Sequence, residues 1–110
     1  MLQLPIRALL LCSGVAFAIP AFAAEEFPPE QVKRGEQLYV INCSRCHGVR
    51  LVNPGGFSFD LRQFPPEQHE RFVNSVTKGK GNMPAWGDLL KQEKIEALWA
   101  YIQTEAKRRP

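Results

Sequence analysis

Cys43, Cys46 and His47 stand together in the stretch CSRCHG at 43–48. A helix turns about 100° per residue, so Cys46 lies about 300° and His47 about 400° round from Cys43, and all three side chains share one face. Two thiols at that separation can each add to a vinyl group of a single porphyrin, and the imidazole beside them can reach the iron. Cys-x-x-Cys-His is the attachment signature of c-type haem. Other chemistries suit these residues less well. A thioredoxin-like redox pair asks for a βαβ setting, and the pattern here shows none. A structural zinc ion asks for four ligands, so adjacent Cys46 and His47 would have to bind one ion with His69 as the only further histidine. A disulfide closing this turn would have no use for His47.

The amino end carries a second constraint. MLQLPIR holds one basic residue, Arg7; ALLLCSGVAFAI is apolar; PAFAA offers small residues at Ala21 and Ala23. That is the layout of a secretory signal peptide over residues 1–23, with cleavage after Ala23, leaving a single domain over 24–110. The apolar core is short of the ~18–20 residues a spanning helix needs, so no stable membrane insertion is expected after cleavage. A retained anchor is the alternative, because little but Ser13, Gly14 and Pro20 interrupts the run. Leu11 before Cys12 is too large for a lipid-attachment site. Export places the mature chain in the periplasm. The formal net charge of +3 falls by one with Arg7, and so nearly neutral a chain is no nucleic-acid partner. So short a domain draws only roughly 3–5 kcal/mol from its core alone, which favours a large covalent filler. A monomer is expected.

Along the mature chain, Val32, Gly35, Tyr39 and Cys43 recur at helical spacing and predict a helix from Pro29 to Cys46. Pro29 suits the first helical position and Glu30 the positive helix end. VRLVNPGGFSFDLRQ reads as a long loop. FPPEQ occurs at 27–31 and again at 64–68, and the second copy predicts another helix start, with the helix running from Pro66 to Thr77. A final helix is predicted from Gln92 to Ala106, where Ile95, Leu98, Trp99 and Ile102 make one apolar stripe; Lys91 before it is a poor cap. The chain is therefore read as all-α, with three main helices and two long loops. Loops of that length in so small a domain suggest that they wrap something.

One loop, GKGNMPAWGD at 79–88, holds the only internal methionine, Met83. Haem iron has two axial positions. With His47 in one, a methionine sulfur in the other raises the reduction potential. Pro84 biases Met83 towards extended backbone, and Gly79 and Gly81 allow tight turns. His69 is the rival ligand, though Gln68, Glu70 and Arg71 around it suggest a solvated histidine. An open iron site is the third arrangement and would make the protein a haem enzyme or gas sensor.

With these residues in place, the chain resembles the small monohaem class I cytochrome c family over about residues 30–104. GEQLYVINCSRCHG is similar to the family's first helix, LWAYI at 98–102 to its closing helix, and MPAWGDLL to the methionine loop of bacterial members. The resemblance implies the cytochrome c fold, wrapped around one covalently bound haem c. Its first and last helices cross with Gly35 at the approach and Tyr39 and Tyr101 around it. Members commonly carry a GP-x-L segment whose proline carbonyl accepts a hydrogen bond from the ligand histidine. Here GFSFDL at 56–61 lacks the proline, so the acceptor is expected either in the backbone near Phe57–Phe59 or at Pro54. FDLRQF, RFVNSVTKGKGNMPAWGD and IEALWAYI are further similar to cytochromes that serve periplasmic quinoprotein (PQQ-dependent) alcohol dehydrogenases.

The resulting expectation is a periplasmic electron carrier rather than an enzyme. It would take single electrons from a dehydrogenase and pass them to a terminal oxidase or another cytochrome. A tightly bound haem subunit of a quinoprotein dehydrogenase is the alternative. Cys43 and Cys46 would bind the haem covalently and His47 and Met83 its iron. Phe57, Phe59, Phe64, Phe72 and Leu89 are expected along the macrocycle, with Trp86 reaching a propionate. Asn82 is expected at the methionine sulfur or simply in the turn. Arg50 and Arg62 would face propionates or solvent, and Lys78 and Lys80 would rim a docking surface or simply lie in water.

Overall fold

The computed structural model describes residues 14–18, 26–53, 55, 56 and 58–110. The expected cleavage point, Cys12, Pro54 and Phe57 lie outside the described residues. Four α-helices are present: α1 (Pro29–Asn42), α2 (Ser44–His47), α3 (His69–Lys78) and α4 (Gln92–Arg108). Short 3-10 turns follow α2 at Val49–Leu51 and precede α3 at Leu61–Gln63. No strand occurs among the described residues, only an isolated bridge between Lys80 and Met83. No described helix is long and apolar enough to cross a membrane.

α1 starts as expected, with Pro29 at its first position and Glu30 in its first turn. It does not continue to Cys46. Asn42 Nδ2 donates to the Leu38 carbonyl at 2.9 Å and Ser44 Oγ to the Val40 carbonyl at 2.7 Å. The Ser44 hydroxyl thereby takes the Val40 carbonyl that Ser44 N–H would use if the ladder ran on. The chain kinks at Cys43 (φ −117°) and restarts as α2, whose first bonds run from Cys46 N (3.1 Å) and His47 N (2.9 Å) to the Cys43 carbonyl.

The second FPPEQ does not start a helix as the first does. Phe64 is buried, Gln68 N–H closes a turn on the Pro65 carbonyl at 3.1 Å, and Gln68 itself is non-helical (φ −107°, ψ 41°). The two prolines are used up in that turn, and α3 begins at His69. α4 starts at Gln92 behind an uncapped Lys91, and it extends two residues further than expected, ending on Lys107 and Arg108. Basic side chains there suit the negative helix end.

α1 and α4 form the principal packing pair. Gly35 is buried in that crossing, and the Tyr39 and Tyr101 rings lie tilted 5.2 Å apart beside it. Arg34 and Glu93 bridge the pair at 3.3 Å. Glu105, buried on α4, is held by Arg109 at 2.7 Å. α3 lies on α4 through Phe72 and Trp99, with ring centroids 5.1 Å apart. Phe64 wedges edge-on against both, at 5.8 Å from each. The apolar centre is thus bordered by α1, α3 and α4, and it is closed by the chain after α2 and the connection between α3 and α4.

Candidate functional site

Helix α2 presents Cys46 and His47, and Cys43 stands at the kink that caps it. Cys43 and Cys46 form no disulfide. The Cys43 thiol is pushed up to about 12, first by burial and then by the nearness of Cys46, so it stays protonated. No cluster of three or more histidine, cysteine or acidic side chains able to hold a bare metal ion occurs among the described residues.

His47 Nδ1 lies 3.1 Å from the carbonyl oxygen of Phe59. A carbonyl can only accept, so Nδ1 carries the proton and donates. The lone pair is then on Nε2, the nitrogen left to bind a metal, and the hydrogen bond fixes the orientation of the ring. The acceptor is Phe59, from the first of the two segments expected to supply it.

The backbone leaving His47 is unusual. Gly48 has φ 89°, and a β-carbon on it would stand 1.9 Å from the Val52 carbonyl oxygen. Arg50 (φ 52°) and Leu51 (φ 65°) are also left-handed, at roughly 1–2 kcal/mol each for residues with a side chain. Leu51 has no exposed surface, and burying a leucine contributes about 1.5–3 kcal/mol, enough to offset its own conformation. The Tyr39 hydroxyl, from the buried face of α1, donates to the Gly48 carbonyl at 2.6 Å. The sequence reading gave Tyr39 a packing role and missed this bond. The clue available was a tyrosine, rather than a phenylalanine, one helical turn before Cys43.

The methionine loop is tied at both ends. Lys80 and Met83 exchange backbone hydrogen bonds at 3.1 and 3.0 Å around a two-residue turn. Gly81 takes the positive φ (59°) that the first central position of such a turn demands, with Asn82 beside it. A β-carbon on Gly79 (φ 78°) would meet the Met83 carbonyl at 2.7 Å. Trp86 N–H then bonds the Val76 carbonyl at 2.8 Å and Gly87 N–H that of Thr77 at 3.1 Å, anchoring the loop to the end of α3. Met83 and Trp86 are both half-buried against the apolar core.

Phe59 and Phe64 meet edge to face at 5.9 Å. Phe64 is part of the core, whereas Phe59 is 50% and Leu89 71% exposed on the polypeptide. His69, the rival ligand, is taken up elsewhere: its Nε2 is 2.7 Å from Glu96 Oε2 and its ring stands edge-on to Trp99 at 5.2 Å. Arg62 is also committed, though still partly exposed. It forms a fork with Asp60, Nε to Oδ1 at 2.9 Å and Nη2 to Oδ2 at 2.8 Å, and this holds the Asp60 carboxyl below its usual range. Arg50, Lys78 and Lys80 are exposed.

The donor set suits a c-type haem. Two unpaired thiols, one at the kink before α2 and one on it, accompany an imidazole with a free Nε2 on the same short helix, and a soft thioether sulfur sits in a braced loop on the same core. Comparison with known proteins agrees. The family described as "Cytochrome C oxidase, cbb3-type, subunit III" matches residues 30–102. Cytochrome c6 of Microcystis aeruginosa is 36% identical over 67% of this chain and 96% of its own length. Cytochrome c6 of Rippkaea orientalis is 34% identical over 87% of this chain and 93% of its own. Quinohemoprotein alcohol dehydrogenase ADH IIB of Pseudomonas putida is 39% identical over 69% of this chain, which spans only 11% of that enzyme. No solved structure matches. The helical fold, the Cys-x-x-Cys-His helix and these relatives together make the chain a member of the cytochrome c family, whose cofactor is covalently bound haem c.

Proposed function

We propose that the mature chain is a periplasmic one-electron carrier, exported by residues 1–23 and holding one haem c. Bound haem c supplies a one-electron iron couple. Cys43 and Cys46 would hold the group by thioether bonds, and His47 and Met83 would supply the ligands to its iron. The observation that carries this reading is the His47–Phe59 hydrogen bond of 3.1 Å. It commits one ring nitrogen to the protein and leaves the other as a ligand, directly beside two unpaired thiols. Met83 reinforces it, because a closed second position leaves no site for substrate and so favours a carrier over a catalyst. Its braced loop also resists rearrangement when the charge on the iron changes.

Trp86 reaches towards a propionate, with Phe59 and Leu89 covering the macrocycle; Phe57 is assigned the same role from its sequence position. Lys78 and Lys80, exposed beside the methionine loop, suit an acidic docking partner. The donor is a periplasmic dehydrogenase, and the likeness to quinohemoprotein alcohol dehydrogenases of Pseudomonas putida and Comamonas testosteroni supports a PQQ-dependent one. The acceptor is a terminal oxidase or a further cytochrome. A second reading, a tightly held subunit of such a dehydrogenase, is favoured by the same likeness, because there a homologous stretch is built into a much longer enzyme.

The test is expression in a host that matures c-type cytochromes. Periplasmic recovery of a red protein with one covalent haem, reduced by a purified quinoprotein alcohol dehydrogenase and its substrate, supports the carrier. A folded, colourless periplasmic protein refutes it. Co-purification with the dehydrogenase at high salt favours the subunit reading, since a transient electrostatic encounter is screened there.

A further inference from the structure

We infer that Tyr39 is a positioning residue for His47, its hydroxyl holding the Gly48 carbonyl and thereby the backbone from which the imidazole is aimed. The inference rests on the proposed ligation by His47.

Four hydrogen bonds surround that histidine. His47 N–H donates to the Cys43 carbonyl at 2.9 Å and Gly48 N–H to that of Ser44 at 2.8 Å. His47 Nδ1–H donates to the Phe59 carbonyl at 3.1 Å. The first two belong to α2 itself, a helix of four residues. So short a helix has little rigidity of its own, because most of its cost lies in nucleation. The third fixes the ring but depends on a loop residue that is half exposed.

The fourth bond, from the Tyr39 hydroxyl to the Gly48 carbonyl at 2.6 Å, comes from a different element and is buried. Tyr39 has no exposed surface and lies at the α1–α4 crossing with its ring against Tyr101. The bond therefore connects the chain directly after His47 to the most firmly packed part of the fold. It also acts where the backbone is under tension: Gly48, Arg50 and Leu51 all hold positive φ, and the Val52 carbonyl fills the space a β-carbon would need at Gly48. With the hydroxyl gone, the Gly48 carbonyl is left buried without this partner, and the left-handed segment can relax by rotating the peptide that follows His47. That rotation would turn the imidazole plane about its iron bond.

The experiment compares Tyr39→Phe and Tyr101→Phe in the haem-loaded protein. Both remove a hydroxyl from the same ring pair, but only the first removes the bond to Gly48. The readouts are the spread of haem-methyl proton shifts in the oxidised state, which follows the axial imidazole plane, the midpoint potential, and the guanidinium midpoint of unfolding. Tyr39→Phe is expected to change the methyl spread and shift the potential, while Tyr101→Phe leaves both as in the wild type even if its stability falls. A Tyr39→Phe protein that is less stable but has unchanged methyl shifts and potential overturns the inference, since Tyr39 then only packs. If Tyr39→Phe accumulates without haem, 3-fluorotyrosine at position 39 keeps the ring and strengthens the donor. It should displace the methyl spread, and an unchanged spread overturns the inference. A wild-type protein with no histidine-ligated haem refutes the proposed ligation itself, and this inference with it.

Discussion

A β-carbon on Gly35 would stand 1.9 Å from the carbonyl oxygen of Ala97 and 2.8 Å from the β-carbon of Tyr101. α1 and α4 thus meet backbone against backbone, and no side chain of any size fits between them. The atoms in the way belong largely to the α4 main chain, so rotamer changes give no relief.

Gly35→Ala should therefore cost about 1–3 kcal/mol or more, as overpacking in a tight core does. Guanidinium denaturation of the haem-loaded protein measures this. The visible spectrum of the surviving folded fraction should be unchanged, because the substitution lies at the crossing and not among the proposed iron ligands. A neutral result would mean that the helices can separate freely at this point.

Met83→Ala should lower the reduction potential, because the soft sulfur that raises it is gone. The reduced variant should also bind carbon monoxide, which the proposed Met83 ligand would keep from the wild type. His69→Gln should change neither property. His69 and Glu96 are both partly exposed (43% and 29% for their side chains), so losing that pair should cost no more than ~1 kcal/mol. Unchanged spectra in Met83→Ala would return His69 to consideration as the ligand.

Alkali should weaken the fold above pH 10. Burial, then the nearby Glu105 and Glu36, push the Tyr101 phenol from 10.0 up to about 12, and burial raises Tyr39 in the same direction. Folding thus favours the protonated phenols. This contribution is fully present below the unfolded value of 10.0 and is lost as pH climbs towards the folded one. Unfolding followed by circular dichroism against pH should show stability falling through that window, less steeply in Tyr101→Phe. A flat profile to pH 12 would contradict the shift.

Replacing both Cys43 and Cys46 by alanine removes the covalent hold on the cofactor. The polypeptide alone leaves Phe59 50% and Leu89 71% exposed, apolar area that the haem is proposed to cover. The double variant should accumulate as a largely unfolded chain, visible as lost helical dichroism and rapid proteolysis. A stable helical apoprotein would mean that the core holds without its filler.

Much of this could be read from residue spacing. The stripe of Ile95, Leu98, Trp99 and Ile102 lies on α4 as periodicity demands, and the glycines at 79 and 81 take the positive φ their loop needs. What could not be read was competition between local bonds. The break at Cys43 goes with Ser44 Oγ capturing the Val40 carbonyl of α1, and that residue could equally have faced water inside a longer helix. The repeated FPPEQ misled because its two copies sit in different surroundings: in the first an extended Pro28 (ψ 135°) leads straight into α1, whereas the second follows a 3-10 turn and buries its own Phe64 in the core. The Phe59 carbonyl was legible only as one of several acceptors, because side-chain identity says little about where a main-chain oxygen points.

The α1–α4 crossing joins segments that are far apart in the chain, as the Arg34–Glu93 pair shows with its members 59 positions apart. A polypeptide threaded amino end first delivers both cysteines well before the last helix can appear. During that interval α1 has no partner to dock on, and the thiols stay reachable by whatever machinery joins them to the porphyrin. Arrival of α4 then shuts the assembly around its pigment. The order of residues along the chain would thus let the proposed attachment at Cys43 and Cys46 precede closure.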